Sequence, residues 1–328
     1  MFMVNRSADV SRLWVAGALL FIAGAASAQP DYPNKPIRII SPNAPGGGTT
    51  ILARLVGQKL TESWGKSVVV DNRPGGNGVI GGETLARSSP DGYTFMVITT
   101  THIITPLLLP TPYDAINDFA AVATIGSSEQ LLVVHPSVPA NNLQELIALA
   151  KAKPEQMNYA SSGGGSSTHL AGELFNMVAG VKIRHIPYKG SGPALIDLIG
   201  GHVQMYFGPP SNVVPHVQSG RLKAVAVGGG TRLPILPRVP TFTEAGLANV
   251  DIKQWWGILA PAGTPKLIID KLSNETAKIL GMLDIKEKLA DLGMDPFVLT
   301  PSQFTALMRA NTEMFGNIIK TANIQAEK

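Results

Sequence analysis

The chain has 328 residues, with 27 Lys and Arg against 23 Asp and Glu, a formal net charge of +4, and no cysteine. Without cysteine there are no disulfides, thiolate-bound clusters or thiol catalysis, and the scattered bases form no nucleic-acid footprint. Arg6 and Arg12 precede an apolar run over residues 13–26 that ends in Ala26-Ser27-Ala28, the pattern of a secretory signal peptide cleaved after Ala28. That run is shorter than the ~20 residues a spanning helix needs. A mature protein outside the inner membrane, in the periplasm, is therefore expected. Its 25 basic and 22 acidic residues leave a weak positive balance, and its length suffices for two lobes.

Residues 37–40, Ile-Arg-Ile-Ile, read as a short buried strand. The loop Ser41-Pro-Asn-Ala-Pro-Gly-Gly-Gly-Thr-Thr50 follows. Ile51, Leu52, Leu55, Val56 and Leu60 then recur at helical spacing, so a helix is expected near Thr49 or Thr50 with Thr as its cap. Glycines let another group approach the backbone. Free N–H groups at a helix start carry the positive end of its dipole, and together these features make an anion site. Asn43, Ala44, Gly46, Gly47 and Thr49 are the candidate contacts. Residues 68–71 predict a second buried strand, 79–87 a helix and 93–98 a strand, the alternation of a parallel sheet. Asn77 and Gly78 ahead of that helix, and Thr99, Thr100 and His102 past that strand, fall where ligands bind in such sheets.

Strands at 120–125 and 131–134 flank Gly126-Ser-Ser128, read as the first crossing between lobes. Asn142 opens a helix with Glu145 as its capping-box partner. A strand at 157–160 then leads into Ser161-Ser-Gly-Gly-Gly-Ser-Ser167 and a helix through Leu170, Leu174, Phe175 and Val178. This repeats the first cradle and adds Ser161, Ser162, Gly164, Ser166, Ser167 and His169 as candidates. After a strand at 183–186, Tyr188 and Gly190 are expected to close one wall, and Pro193 opens a short helix. Strands at 203–207 and 222–227 follow, with Gly208 at the end of the first. Residues 232–246 are a proline-rich surface excursion, and 254–260 a strand that crosses back, with Trp255 and Trp256 packing the hinge. Thr264-Pro265, and Thr300-Pro301 with Gln303, start two capped helices; Phe304, Leu307, Met308, Phe315, Ile318 and Ile319 share one face of the second. The expected lobes are 29–127 with 254–328, and 128–253.

Other motifs fail in context. Gly76-Asn-Gly78-Val-Ile-Gly81 fits a dinucleotide fingerprint, but the next strand ends in threonines where an acid is required. Ser63-Trp-Gly-Lys66 lacks the companion motifs of an S-x-x-K enzyme. The six histidines show no metal-ligand spacing, and no cofactor is expected. A secreted α/β hydrolase remains an alternative, although there is no G-x-S-x-G elbow.

Pro45-Gly-Gly-Gly-Thr49, Val70-Asp-Asn-Arg-Pro-Gly75, Pro90-Asp-Gly-Tyr93, Asn158-Tyr-Ala-Ser-Ser162, His169-Leu-Ala-Gly-Glu173, Pro187-Tyr-Lys-Gly190, Asp197-Leu-Ile-Gly-Gly201 and Ala260-Pro-Ala-Gly-Thr-Pro265 occur in order along the chain. In these runs the chain resembles the Bug-type receptors, the extracytoplasmic solute-binding proteins of tripartite tricarboxylate transporters. The resemblance implies a type II periplasmic-binding-protein fold, two α/β lobes joined by two crossing strands. It further implies a small di-, tri- or aromatic carboxylate held by loops of both lobes, captured by hinge closure and delivered to integral-membrane transporter subunits by a monomeric receptor. A sensory output through a signalling partner is the alternative. Two positions depart from the family pattern: Thr50, where an acid is common, and Gly208, where an acid often follows the Phe. The first disfavours an ammonium-bearing ligand and the second implies a more open, neutral side of the cleft.

Overall fold

The computed structural model describes residues 32–250 and 253–325. The expected signal peptide lies outside the described residues. In chain order the elements are β1 Ile37–Ser41, α1 Gly48–Trp64, β2 Val68–Asn72, a 3-10 turn Gly76–Gly78, α2 Val79–Ala86, β3 Thr94–Thr99, α3 Thr101–Leu108, β4 Phe119–Ser128 and β5 Leu131–Val134. They continue as α4 Leu143–Ala152, β6 Asn158–Ser161, α5 Ser167–Ala179, β7 Arg184–Pro187, α6 Ser191–Ile199, β8 Met205–Gly208, α7 Pro210–Gln218 and β9 Lys223–Val227. The chain closes with β10 Gln254–Pro261, α8 Lys266–Gly281, α9 Leu283–Asp291, β11 Asp295–Pro296 and α10 Pro301–Thr321.

These strands form two sheets. The six-stranded sheet runs β11-β4-β10-β3-β1-β2, and the five-stranded sheet β7-β6-β8-β5-β9. In the first, β1 is parallel to β2 and β3, while β10 runs antiparallel to β3 and β4. In the second, β6 is parallel to β7 and β8, and β5 antiparallel to β8 and β9. Strands β4 and β10 pair along their whole length, from Phe119↔Pro261 to Ser128↔Gln254. Chain leaving β4 enters β5 of the other sheet, so this pair lies where the lobes join.

Apolar spacing explains the packing. Ile37 and Ile39 of β1 meet Leu52, Val56 and Leu60 of α1 on one face of the sheet. Ile40, Met96 and Ile98 point to the other face, whose core includes Phe304, Met308 and Phe315 of α10 and continues through Leu132, Phe175 and Phe207 of the second lobe. Trp255 is buried edge-on against Phe304 and donates Nε1–H to Asn311 Oδ1 at 2.8 Å. Gly257 of β10 is required by this packing, because a Cβ there would fall on the ring of Phe304 and 3.0 Å from the Ala123 carbonyl.

Several expectations are corrected. Strand β2 is half-exposed, with Val69 53% accessible, because it forms the edge of its sheet. Gly126, Ser127 and Ser128 belong to β4, held in the ladder by β10. Helices α3 and α7 are not among the expected elements; each carries a Pro inside it, Pro106 and Pro215. Helix α1 is capped by Gly47, and Thr49 and Thr50 sit in its first turn with their hydroxyls bonded to Ser41 Oγ at 3.2 and 2.9 Å. Thr264 donates its hydroxyl to the Pro261 carbonyl at 2.8 Å, leaving α8 to start at Lys266 behind Pro265. Thr300 and Gln303 do form a reciprocal capping box. Asn142 Oδ1 accepts from Glu145 N at 2.9 Å, but the Glu145 carboxylate takes the N–H of Asn141 rather than that of Asn142.

Gly257→Ala is expected to destabilise the protein by about 1–3 kcal/mol through overpacking against Phe304. Urea unfolding should show a lower midpoint with an unchanged slope.

Candidate functional site

Between the two sheets lies a cleft with two adjoining compartments, of about 770 and 390 Å³. Asn43, Ala44, Thr99, Thr101, Ser162, Lys189 and Gly190 line both, so the compartments are continuous. The combined space suits a small organic molecule.

Each wall is made of loops leaving the carboxyl ends of strands, and there the helices begin. The smaller compartment is lined by Gly47, Gly48 and Thr49 at the start of α1, Ser167 and Thr168 at the start of α5, Ser191 and Gly192 at the start of α6, and Ser211 and Asn212 at the start of α7. Thr101 adds the start of α3. Five helix N-termini thus border one space, each adding partial positive charge. Among the described residues the backbone N–H groups of Gly48, Thr49, Ser167 and Thr168 have no backbone acceptor outside their helices, as first-turn donors must. Among the described residues no Asp or Glu lines either compartment; the one Lys or Arg in their lining is Lys189, which ion-pairs with no acid among the described residues.

Local chemistry holds the first loop open. Asn72 Nδ2 donates to the Asn43 carbonyl and to Thr50 Oγ1, both at 2.8 Å. Thr50 is therefore buried behind the loop and does not face the cleft, so an acid's absence there does not alter the lining. In the second loop Ser166 caps α5 by accepting the His169 N–H at 3.2 Å, and Thr168 Oγ1 accepts the Ser162 N–H at 2.8 Å. The lobes touch directly where the Asn77 amide donates to the Gly164 carbonyl and packs on Gly163. Asn77 adopts left-handed φ of 53°, a conformation that Asn tolerates better than most residues.

Most of the expected residues line this cleft. Asn43, Ala44, Asn77, Gly78, Thr99, His102, Ser162, Gly164, Ser166, Tyr188 and Gly190 line the larger compartment, and Gly46, Gly47, Thr49 and Ser167 the smaller. Four do not. Thr100 is fully buried under the start of α3. Ser161 is buried beneath its loop, where its Oγ accepts the Gly163 N–H at 3.1 Å and bonds His185 Nε2 at 2.5 Å. His169 is buried against His185, ring centroids 3.9 Å apart, and its Nδ1 accepts the Gly165 N–H at 3.0 Å. Gly208 is buried in β8 against the ring of Tyr206, so it opens no side of the cleft; Pro209 provides the wall there. Residues not anticipated include Lys189, Gln254 and Trp256. Gln254 is 7% exposed and its Oε1 has no partner among the described residues. Lys189 sits in the Pro-Tyr-Lys-Gly run and was legible as a cation beside a wall residue; Gln254 and Trp256 carry no such signal.

Tyr188 donates its hydroxyl to Asp197 Oδ2 at 2.7 Å, and burial together with that carboxylate pushes the phenol up to about 12, so it stays protonated. His102 and His185 are both pushed down to about 4 by burial. Ser63 donates to Glu275 on the surface, away from the cleft.

Two lobes on a shared strand pair, with a ligand-sized hollow rimmed by helix starts, define a solute-binding receptor. Residues 52–324 match the family described as Tripartite tricarboxylate transporter family receptor. Protein BugT of Bordetella pertussis is 35% identical over 311 residues, spanning 92% of this chain and 94% of BugT. An R. palustris protein solved with adipate superimposes with a TM-score of 0.87 at 34% identity, over 90% of this chain and 99% of that one. MatC from Rhodopseudomonas palustris with bound malate gives 0.83 at 28% identity, over 88% and 100%. The chain belongs to the tripartite tricarboxylate transporter receptor family, with its two-lobed periplasmic-binding-protein fold, and is a binding protein rather than an enzyme.

The depressed histidines set a pH dependence. Between pH 6.5 and about 4 the unfolded chain holds protons that native His102 and His185 do not, so stability falls as pH drops through that window. For His102 the loss is on the order of 3 kcal/mol. Denaturant midpoints measured from pH 7 to 4 should decline, and His102→Phe should flatten part of the decline.

Proposed function

We propose that this receptor captures a small carboxylate in the interlobe cleft, outside the inner membrane, and delivers it to integral-membrane transporter subunits. The observation that carries the reading is a cleft whose described lining holds no acid, with five helix N-termini and Lys189 on its border. An ionised carboxylate there accepts backbone N–H bonds from both lobes and sits at the positive ends of several dipoles. One partly buried helix start is worth up to ~2 kcal/mol, whereas micromolar affinity needs about 8 kcal/mol. Neither lobe suffices alone, and closure of one over the other supplies the difference by stabilising the closed state. The adipate and malate in the two solved relatives support this ligand class. Within this reading the lobes divide as 29–127 with 254–328, and 128–253, and the receptor acts as a monomer.

Thermal melting with a panel of di-, tri- and aromatic carboxylates should raise the melting temperature for at least one. A flat response to all of them would sink the proposal. A side chain at Gly47 meets nothing closer than the Ala44 carbonyl at 3.5 Å, so Gly47→Asp is sterically admissible. It should abolish the shift while circular dichroism stays native. Trp256 lines the smaller compartment, and tryptophan fluorescence should change on binding. Lys189→Met should weaken the responding acid by roughly tenfold, the lower end of what a charge-assisted bond contributes, and reduce the salt dependence of binding.

A further inference from the structure

The larger compartment has its own chemistry. Pro42, Met96 and Ile98 give it apolar walls, and no acid among the described residues lines it. One imidazole, that of His102, lies in this lining, and its orientation is fixed. Its ring is stacked on Tyr113 at 5.8 Å and meets Phe119 edge-on at 5.0 Å. Its Nε2 lies 2.9 Å from the Ala115 carbonyl oxygen, which can only accept, so Nε2 carries the proton. Burial disfavours a second proton on the ring. The remaining nitrogen, Nδ1, is then a bare acceptor; it has no partner among the described residues and is not sealed from solvent.

We infer that His102 is a specificity-determining residue: its Nδ1 accepts a hydrogen bond from a hydroxyl or N–H group on the apolar body of the ligand, whose carboxylate sits at the helix starts. The inference rests on the carboxylate reading and deepens it. A second carboxylate at this position would set lone pair against lone pair. A plain hydrocarbon end would strip water from Nδ1 and leave it unpaired, which is how a hydrogen-bonding site rejects an analogue lacking the group. The ligand class is therefore a carboxylate with an apolar or aromatic body and a donor remote from the acid.

Isothermal titration of the purified protein tests this with two matched series: benzoate, 4-hydroxybenzoate and terephthalate, and hexanoate, 6-hydroxyhexanoate and adipate. In at least one series the hydroxy acid should bind about tenfold or more tightly than both companions. In His102→Phe, which retains a ring for the stack, the ratio of hydroxy acid to plain acid should fall to about one. A dicarboxylate that binds most tightly, or a preference that survives in the variant, overturns the role of His102 while leaving carboxylate capture intact. No binding by any of the six overturns both. Should the variant fail to fold, the ¹⁵N resonance of His102 Nδ1 in the wild-type protein decides. It should move toward its hydrogen-bonded position with the hydroxy acid and not with the plain acid; equal movement with both overturns the inference.

Discussion

First-turn N–H groups that have no partner within their own helices are the constraint on which this structure turns. Every helix must leave such donors at its start, and a buried donor without an acceptor is costly. Here five helix starts border one water-accessible hollow, and the loops leading to them hold no carboxylate. In the carboxylate reading proposed above, an anion from outside satisfies them together. The glycines of the first loop and the Ser-Gly run of the second serve that end by keeping side chains out of the space.

The convergence depends on how the sheets are joined. In each lobe a parallel core sends its helices off the carboxyl ends of the strands, so a ligand edge exists on each sheet. Facing those edges toward each other is the work of β4 and β10, paired in register slips through Gly257 and wedged by Phe304 and Trp255. Buried side chains at this junction, Ser128, Gln130 and Gln254, carry polar atoms with no hydrogen-bond partner among the described residues. Unpaired polar groups cost stability where they are buried, in contrast to the apolar cores beside this junction.

In the proposed reading, the two compartments divide charge recognition from the reading of the rest of the ligand. Helix starts border the smaller space, and Lys189 lines both. Proline, Met96, Ile98, Tyr188 and His102 shape the larger. Backbone donors recognise a carboxylate whatever it is attached to, so variation of side chains in the larger space can change the ligand without disturbing the fold.

Much of this was legible in the sequence. Strand–glycine loop–helix units announce themselves by β-branched runs, turn residues and helical spacing, and the Asn142 cap of α4 and the capping box of α10 follow from residues a few positions apart. The expectation of an anion at both loops rests on the same local geometry. What the sequence could not determine is which side of a loop faces the hollow. Thr100, Ser161, His169 and Gly208 lie beside cleft residues along the chain, yet they turn inward because their groups are bonded or packed behind the loops. Gln254 and Trp256 enter the cleft because β10 lies between β3 and β4. Such neighbours are set by pairing across long stretches of chain, and only the folded arrangement decides them.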